Sequence, residues 1–152
     1  MELGSGFGYS AYWFARAVGE GGEVHCTDGD PDNAVKAHQY LQRAGLWDRV
    51  SYHTGDAVEL MATIDGEFDI VYDDIDKHGY PDAWLAARER IRVGGLYVCD
   101  NVLWSGRVLP GADDGHRFTA GVKEFTRRLM AHKGFLTTIE PTRDGVAVAL
   151  KL

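Results

Sequence analysis

The sequence predicts an α/β fold: a Rossmann-like parallel sheet built from alternating strand and helix units, closed by one antiparallel strand. Three observations carry that expectation. Short β-rich runs alternate with longer segments of helical period, the pattern of βα units with helices on both faces of a sheet. The last two β-rich runs are separated only by a short loop, which makes them a hairpin. No repeat, low-complexity tract or linker interrupts the pattern, so residues 1–152 read as a single domain. A chain of that length buries a substantial core.

The elements follow in order. The chain opens in a strand of about three residues, against a typical five to six, and runs into Gly4, Gly6 and Gly8 at alternate positions. Glycine lets the backbone turn tightly and come close to a ligand, because no Cβ blocks the approach. Residues 10–18 carry Tyr12, Trp13, Ala15, Arg16 and Ala17 and read as a helix, and residues 23–27 as a strand. Residues 32–44 place Ala34, Val35, Ala37, His38, Leu41 and Ala44 near period 3.6. Asp30 suits the N-cap of that helix, Pro31 its first turn and Gly45 its stop. A strand over 50–54 precedes Asp56, which caps a short helix running through Met61. A strand over 68–72 is followed by a helix opened by Pro81 and running to Ile91; Gly94-Gly95 then turn the chain into a strand over 96–99. Residues 116–132 form a long helix with Phe118, Val122, Phe125 and Leu129 on one face. Strands over 135–140 and 146–150 are joined by residues 141–145, which end in Asp144-Gly145.

Composition narrows the function. An apolar fraction of 45% and a charged fraction of 26% are those of an ordinary globular protein. A net charge of −7 argues against nucleic acid as a partner, which would require a basic stripe. The densest basic run, Arg88, Arg90 and Arg92, reads as the solvated face of a helix. No apolar stretch is long enough to span a membrane. The N-terminus is Gly-rich and acidic, unlike a signal peptide. Cys26 and Cys99 lie in strand-like runs and read as buried, reduced thiols, which places the chain in the cytoplasm. They lack the spacing of a zinc site.

In open α/β sheets ligands bind outside the carboxyl ends of the strands. The first strand ends there in the glycine loop. The second ends at Asp28, twenty residues after Gly8, where an acid suits a pair of ribose hydroxyls. Together these make half of a nucleoside site. The third strand ends at Gly55-Asp56, the fourth at Asp73-Asp74 with Asp76 and Lys77 beyond, and the fifth at Asp100-Asn101. Asp74, Asp100 and Asn101 offer three oxygens to one hard cation, Mg²⁺, Mn²⁺ or Ca²⁺ rather than zinc. Without a cation, acids gathered at one edge repel one another. Lys77, three residues past Asp74, faces the same ligand and suits the role of a base. Taken singly, these residues have simpler readings. Asp and Asn bond local backbone at strand ends, glycine-rich runs serve many nucleotide sites, Lys77 is a surface lysine, and Trp104 is packing. Their joint placement on one rim favours function.

Glu2-Leu3-Gly4-Ser5-Gly6-Phe7-Gly8-Tyr9-Ser10, Asp74-Ile75-Asp76-Lys77 and Asp100-Asn101-Val102-Leu103-Trp104-Ser105-Gly106 together resemble the cation-dependent O-methyltransferases. These are class I S-adenosylmethionine (AdoMet) enzymes related to catechol and caffeoyl-CoA O-methyltransferases. The resemblance implies a seven-stranded sheet in order 3-2-1-4-5-7-6 with strand 7 antiparallel. It implies that Gly4, Gly6 and Gly8 hug the amino-acid moiety of AdoMet, with Ser10 near its carboxylate and Glu2 supporting the loop. Asp28 would bind the ribose, and Asp56 and Ala57 would border the adenine. Asp74 would count among the cofactor contacts and, with Asp100 and Asn101, would ligate the metal, usually Mg²⁺. Lys77 would be the base. The Trp104-Ser105-Gly106 loop would wall the pocket of a catechol-like or phenolic acceptor. The family is often dimeric, so a homodimer is among the implications.

Two departures stand out. Asp73 takes a place where the family usually carries an aliphatic residue, and would either tighten metal binding or face solvent. The first strand is cut short and the helices that precede it in the family are missing, as in an N-terminally incomplete chain. Two other functions compete. A nicotinamide-dependent dehydrogenase shares the glycine loop and later acid, but its G-x-G-x-x-G is absent here and the reading leaves Asp74, Lys77, Asp100 and Asn101 unexplained. An AdoMet-binding remnant without turnover is the non-enzymatic alternative.

Overall fold

The computed structural model describes residues 1–112 and 115–152. Its strands are β1 (Glu2–Leu3), β2 (Val24–Asp28), β3 (Val50–Thr54), β4 (Phe68–Asp73), β5 (Ile91–Cys99), β6 (Phe135–Glu140) and β7 (Val146–Lys151). The helices are α1 (Tyr9–Val18), α2 (Pro31–Arg43), α3 (Ala57–Thr63), α4 (Tyr80–Ala87) and α5 (Arg117–Ala131). The strand order is β3-β2-β1-β4-β5-β7-β6, with β7 antiparallel, as the resemblance implied. No helix among the described residues is long and apolar enough to cross a membrane. The chain divides into two compact units, Met1–Ile64 and Asp65–Leu152.

In the first unit β1, β2 and β3 run parallel, with Glu2 opposite Cys26 and Val24 opposite Val50. Ala11 and Ala15 of α1, Ala37 and Leu41 of α2, and Val24, Cys26 and Val50 form one buried cluster. A fully buried leucine such as Leu41 contributes about 2–3 kcal/mol. The caps explain where the helices begin. The Asp30 carboxylate accepts from the Asp32 amide at 2.9 Å, with Pro31 in the first turn. Asp56 accepts from Val58 and Glu59, each at 3.0 Å. Helix α1 has no side-chain cap; it starts at Gly8, whose φ of 88° is left-handed. A Cβ at Gly8 would lie 3.2 Å from that of Ala37, so this position needs glycine both for conformation and for space.

In the second unit β4 is parallel to β5, while β7 pairs antiparallel with both β5 and β6. The core between α4, α5 and the sheet is aromatic. Trp84 lies 5.0 Å from Tyr97 and 4.9 Å from Phe135, and Tyr80 lies 5.5 Å from Phe125 (ring centroids). Three expectations need correction here. Helix α4 ends at Ala87 rather than Ile91, and β5 begins at Ile91, so Gly94-Gly95 lie inside the strand. The register between β4 and β5 slips at Phe68–Ile70, and a Cβ at Gly95 would lie 2.9 Å from the Asp69 carbonyl oxygen. The glycines therefore mark a bulge with close backbone approach. Arg88, Arg90 and Arg92 accordingly do not share a helix face. Arg90 donates to the Gly66 carbonyl and Arg92 to Asp69, tying the loop before β4 and β4 itself to the start of β5.

Candidate functional site

The glycine loop of the first unit is braced from within. Glu2 is fully buried, and burial pushes its carboxyl above the usual range although Ser10, Ser5 and Cys26 all donate toward it. The Ser10 hydroxyl donates to Glu2, and so does the Cys26 thiol at 3.4 Å. The Gly4 and Ser5 amides donate to the Thr27 carbonyl at 3.0 and 2.8 Å. The Gly6 amide donates to Asp28 at 2.9 Å, while the Tyr52 hydroxyl donates to the Gly6 carbonyl. Gly4, Gly6 and Gly8 all have left-handed φ, of 83°, 52° and 88°. At Gly6 an added Cβ would meet nothing within 4 Å, so that side of the loop is open.

Each residue expected at the donor site has a definite place. Ser10 has its one proton donor on Glu2. Asp28 accepts from Gly6 through Oδ2 and from Asp30 and Asn33 through Oδ1, at 2.8 and 3.1 Å for the last two. An ionised carboxylate has about four acceptor positions; three are taken, so Asp28 keeps about one for a hydroxyl donor while it fixes the loop. Asp56 caps α3, and Ala57 is buried just inside it.

The second unit carries the acid and base groups. Lys77 Nζ lies 2.7 Å from Asp74 Oδ1, donates to the Ile75 carbonyl at 3.3 Å and stands over the Tyr80 ring. Its side chain is 12% exposed, so the ammonium is held rather than waving in solvent. Burial raises the Asp74 carboxyl; Lys77 opposes that rise and the charge of Asp100 adds to it. The Asp100 backbone is fixed on both sides: its amide donates to the Asp73 carbonyl at 3.2 Å and its carbonyl accepts from the Tyr80 hydroxyl at 2.8 Å. Asp100 Oδ1 accepts from the Asn101 amide at 2.7 Å. Asn101 itself has a left-handed φ of 55°. Among the described residues no three His, Cys, Asp or Glu side chains group as ligands. The expected set is two carboxylates and an amide, Asp74, Asp100 and Asn101. It fits a hard cation by donor chemistry and by the repulsion between Asp74 and Asp100.

Asp73 neither faces solvent nor joins that set. It is fully buried, accepts from the Tyr97 hydroxyl at 2.5 Å and from the Ile75 amide at 3.4 Å, and burial raises its carboxyl to about 7. Asp73 is thus an internal polar partner for Tyr97.

The loop after Asn101 is equally specific. Trp104 and Ser105 have left-handed φ of 47° and 51°, each at a cost of roughly 1–3 kcal/mol that surrounding contacts must offset. Trp104 donates from its indole to Thr119 Oγ1 at 3.1 Å and packs edge-on against Phe118. Three residues that matter were not legible as site residues. Gly121 in α5 lies against the Lys77 turn, where an added Cβ would stand 2.3 Å from the Lys77 carbonyl oxygen; a lone glycine inside a helical pattern was the available signal. Asp144 and Gly145 hold the loop after Asn101, and the sequence marked them only as a turn.

A family model described as O-methyltransferase matches residues 1–152. The chain is 32% identical to a catechol O-methyltransferase of Niastella koreensis, over 99% of this chain and 72% of that protein. It is 33% identical to a catechol O-methyltransferase of Mycobacterium tuberculosis, over 99% of this chain and 70% of that protein. Among solved structures, it is similar to the O-methyltransferase TomG of Streptomyces achromogenes, involved in tomaymycin synthesis, in complex with S-adenosylmethionine. That match has a TM-score of 0.93 at 30% identity and covers 99% of this chain and 71% of the other.

Proposed function

The chain belongs to the O-methyltransferase family, and on that premise we propose that it moves the methyl group of AdoMet to a hydroxyl of a catechol-like phenol with the help of a divalent cation. The observation that carries this reading is the Lys77–Asp74 pair at 2.7 Å with Asp100 acting on the same carboxylate. That pair supports the reading because activation of a vicinal diol would use a proton acceptor beside oxygen ligands.

On this reading the open side of the glycine loop at Gly6 receives the amino-acid part of the donor, and Asp28 takes the ribose hydroxyls. Asp56 and Ala57 border the adenine. Asp74, Asp100 and Asn101 would hold the cation, Mg²⁺ by preference, and when bound it would supply Lewis-acid polarisation of the acceptor. Lys77 Nζ is the group that would take up the hydroxyl proton, with Asp74 2.7 Å away to pair with the charge. The acceptor oxygen forms its bond to the methyl carbon as the carbon–sulfur bond breaks. The electron pair stays on sulfur, leaving S-adenosylhomocysteine. The protein's contribution to that displacement is mostly positioning. Trp104 and its loop wall the aromatic acceptor.

The family match disfavours the dehydrogenase alternative, and the acids and lysine of the second unit have no part in hydride transfer. The test is turnover of catechol by the wild type, Asp100→Ala and Lys77→Met, alongside calorimetry with S-adenosylhomocysteine. Each variant is expected to lose at least about 100-fold in turnover while keeping cofactor affinity. Unchanged turnover in Asp100→Ala would remove the cation from the reaction. Cofactor binding without transfer to any catechol, in the wild type, would favour the non-enzymatic remnant.

A further inference from the structure

The hairpin turn near the end of the chain is bonded to the loop that follows Asn101. Three amides of that loop end on two residues of the turn. Val102 donates to the Gly145 carbonyl at 3.0 Å, Leu103 to the Asp144 carbonyl at 2.8 Å, and Ser105 to Asp144 Oδ1 at 2.5 Å. The side chain of Leu103 fills the space beside Gly145, where an added Cβ would lie 2.4 Å from Leu103 Cγ. The turn is itself closed by the Gly145 amide on the Thr142 carbonyl at 3.0 Å and has left-handed φ at Arg143 and Gly145.

We propose that Asp144 and Gly145 form a latch that positions residues 101–106, and that Asp144 is thereby a positioning residue for the Asn101 amide and the Trp104 wall. The reasoning starts from where sheet support ends. Asp100 follows directly on β5, and its backbone is pinned by Asp73 and Tyr80. Asn101 lies one residue further on and has turned out of the extended conformation, with φ 55°. Trp104 and Ser105 repeat that conformation within four residues. Non-glycine residues hold such backbone only where surrounding contacts over-determine it. The loop's own bonds, Trp104 to the Asn101 carbonyl and Gly106 to the Leu103 carbonyl, curl it but anchor it to nothing else. Among the described residues, anchorage comes from the turn, from Trp104 on Thr119 and from the buried side chain of Val102. The Asp144 side chain is the one part of the latch that a substitution can remove without altering the hairpin backbone.

The role of the latch in cation binding rests on the proposed function; the latch itself does not. Two variants and two readouts separate them. Asp144→Ala deletes the acceptor of the Ser105 amide, and Asp144→Asn keeps an acceptor oxygen in place. Limited trypsin digestion, with cleavage after Arg107 followed by mass spectrometry, reports whether the loop is held. Mn²⁺ titration followed by electron paramagnetic resonance reports the ligand set without any turnover. Asp144→Ala is expected to be cut after Arg107 several-fold faster than the wild type and to bind Mn²⁺ about ten-fold more weakly, the loss usual for a group that orients a metal ligand. Asp144→Asn should match the wild type in both. Wild-type cleavage in Asp144→Ala would overturn the latch, and a released loop with unchanged Mn²⁺ affinity would overturn its positioning role. A wild-type chain that binds no Mn²⁺ would overturn the cation reading itself, and the cleavage rates would then decide the latch alone.

Discussion

Asp73 ends β4 with its carboxyl enclosed one residue before Asp74, and its surroundings fix how stability depends on pH. Tyr97, Tyr80, Cys99, Lys77 and Asp74 are titratable groups coupled to it. Burial raises it from 3.8 to about 7. Between those two values the folded chain holds a proton that the unfolded chain has released, so the contribution of Asp73 is complete below pH 3.8 and is lost as pH rises toward 7. Asp73→Asn removes that dependence and keeps an oxygen for the Tyr97 hydroxyl. Urea unfolding in chelator from pH 4 to 8 should show the wild type losing roughly 2–4 kcal/mol relative to Asp73→Asn as pH rises, then levelling off. A constant difference across that range would mean the carboxyl is ionised throughout. The proximity of Asp74, Lys77 and Asp100 was legible because strand ends deliver polar groups to one rim. The burial of Asp73 was not. An acid at a strand end reads as solvated until pairing shows that it lies opposite Cys99 and bonds Tyr97.

Helix α5 was legible to within a residue at each end, because Phe118, Val122, Phe125 and Leu129 repeat at helical spacing. What the helix does for Lys77 was not legible, because a contact with a turn forty-four residues earlier leaves no mark on local periodicity. Gly121→Ala tests that contact. Helix propensity alone would stabilise the variant by about 1 kcal/mol. The Lys77 carbonyl 2.3 Å from the new Cβ is backbone and cannot rotate away. The clash should win, costing about 1–3 kcal/mol in denaturant unfolding and lowering methyl transfer, with S-adenosylhomocysteine affinity retained. A variant as stable and active as the wild type would show that the Lys77 turn yields freely. The boundary between α4 and β5 was misread for a related reason. Gly94-Gly95 reads as a turn, whereas the register slip opposite Asp69 makes it a bulge within the strand.

At the scale of the whole molecule, alternating periodicity was enough for the α/β class and the terminal hairpin. It could not say which hairpin strand joins β5, because local pattern carries no information on distant pairing. That part of the order came from the resemblance, and the pairing of Leu96 with Leu150 agrees with it. The chemistry divides in the same way. Residue types at strand ends implied a donor loop and a set of oxygen ligands, while the contacts around them, Glu2 under the loop and Asp144 on the amides of Leu103 and Ser105, came from packing. The central claim is cation-assisted methyl transfer, and the most direct measurement is incorporation of labelled methyl from AdoMet into catechol, first in chelator and then after Mg²⁺ is restored in excess. The predicted result is no product in chelator and recovery with Mg²⁺. Product formation at the same rate in both would contradict it.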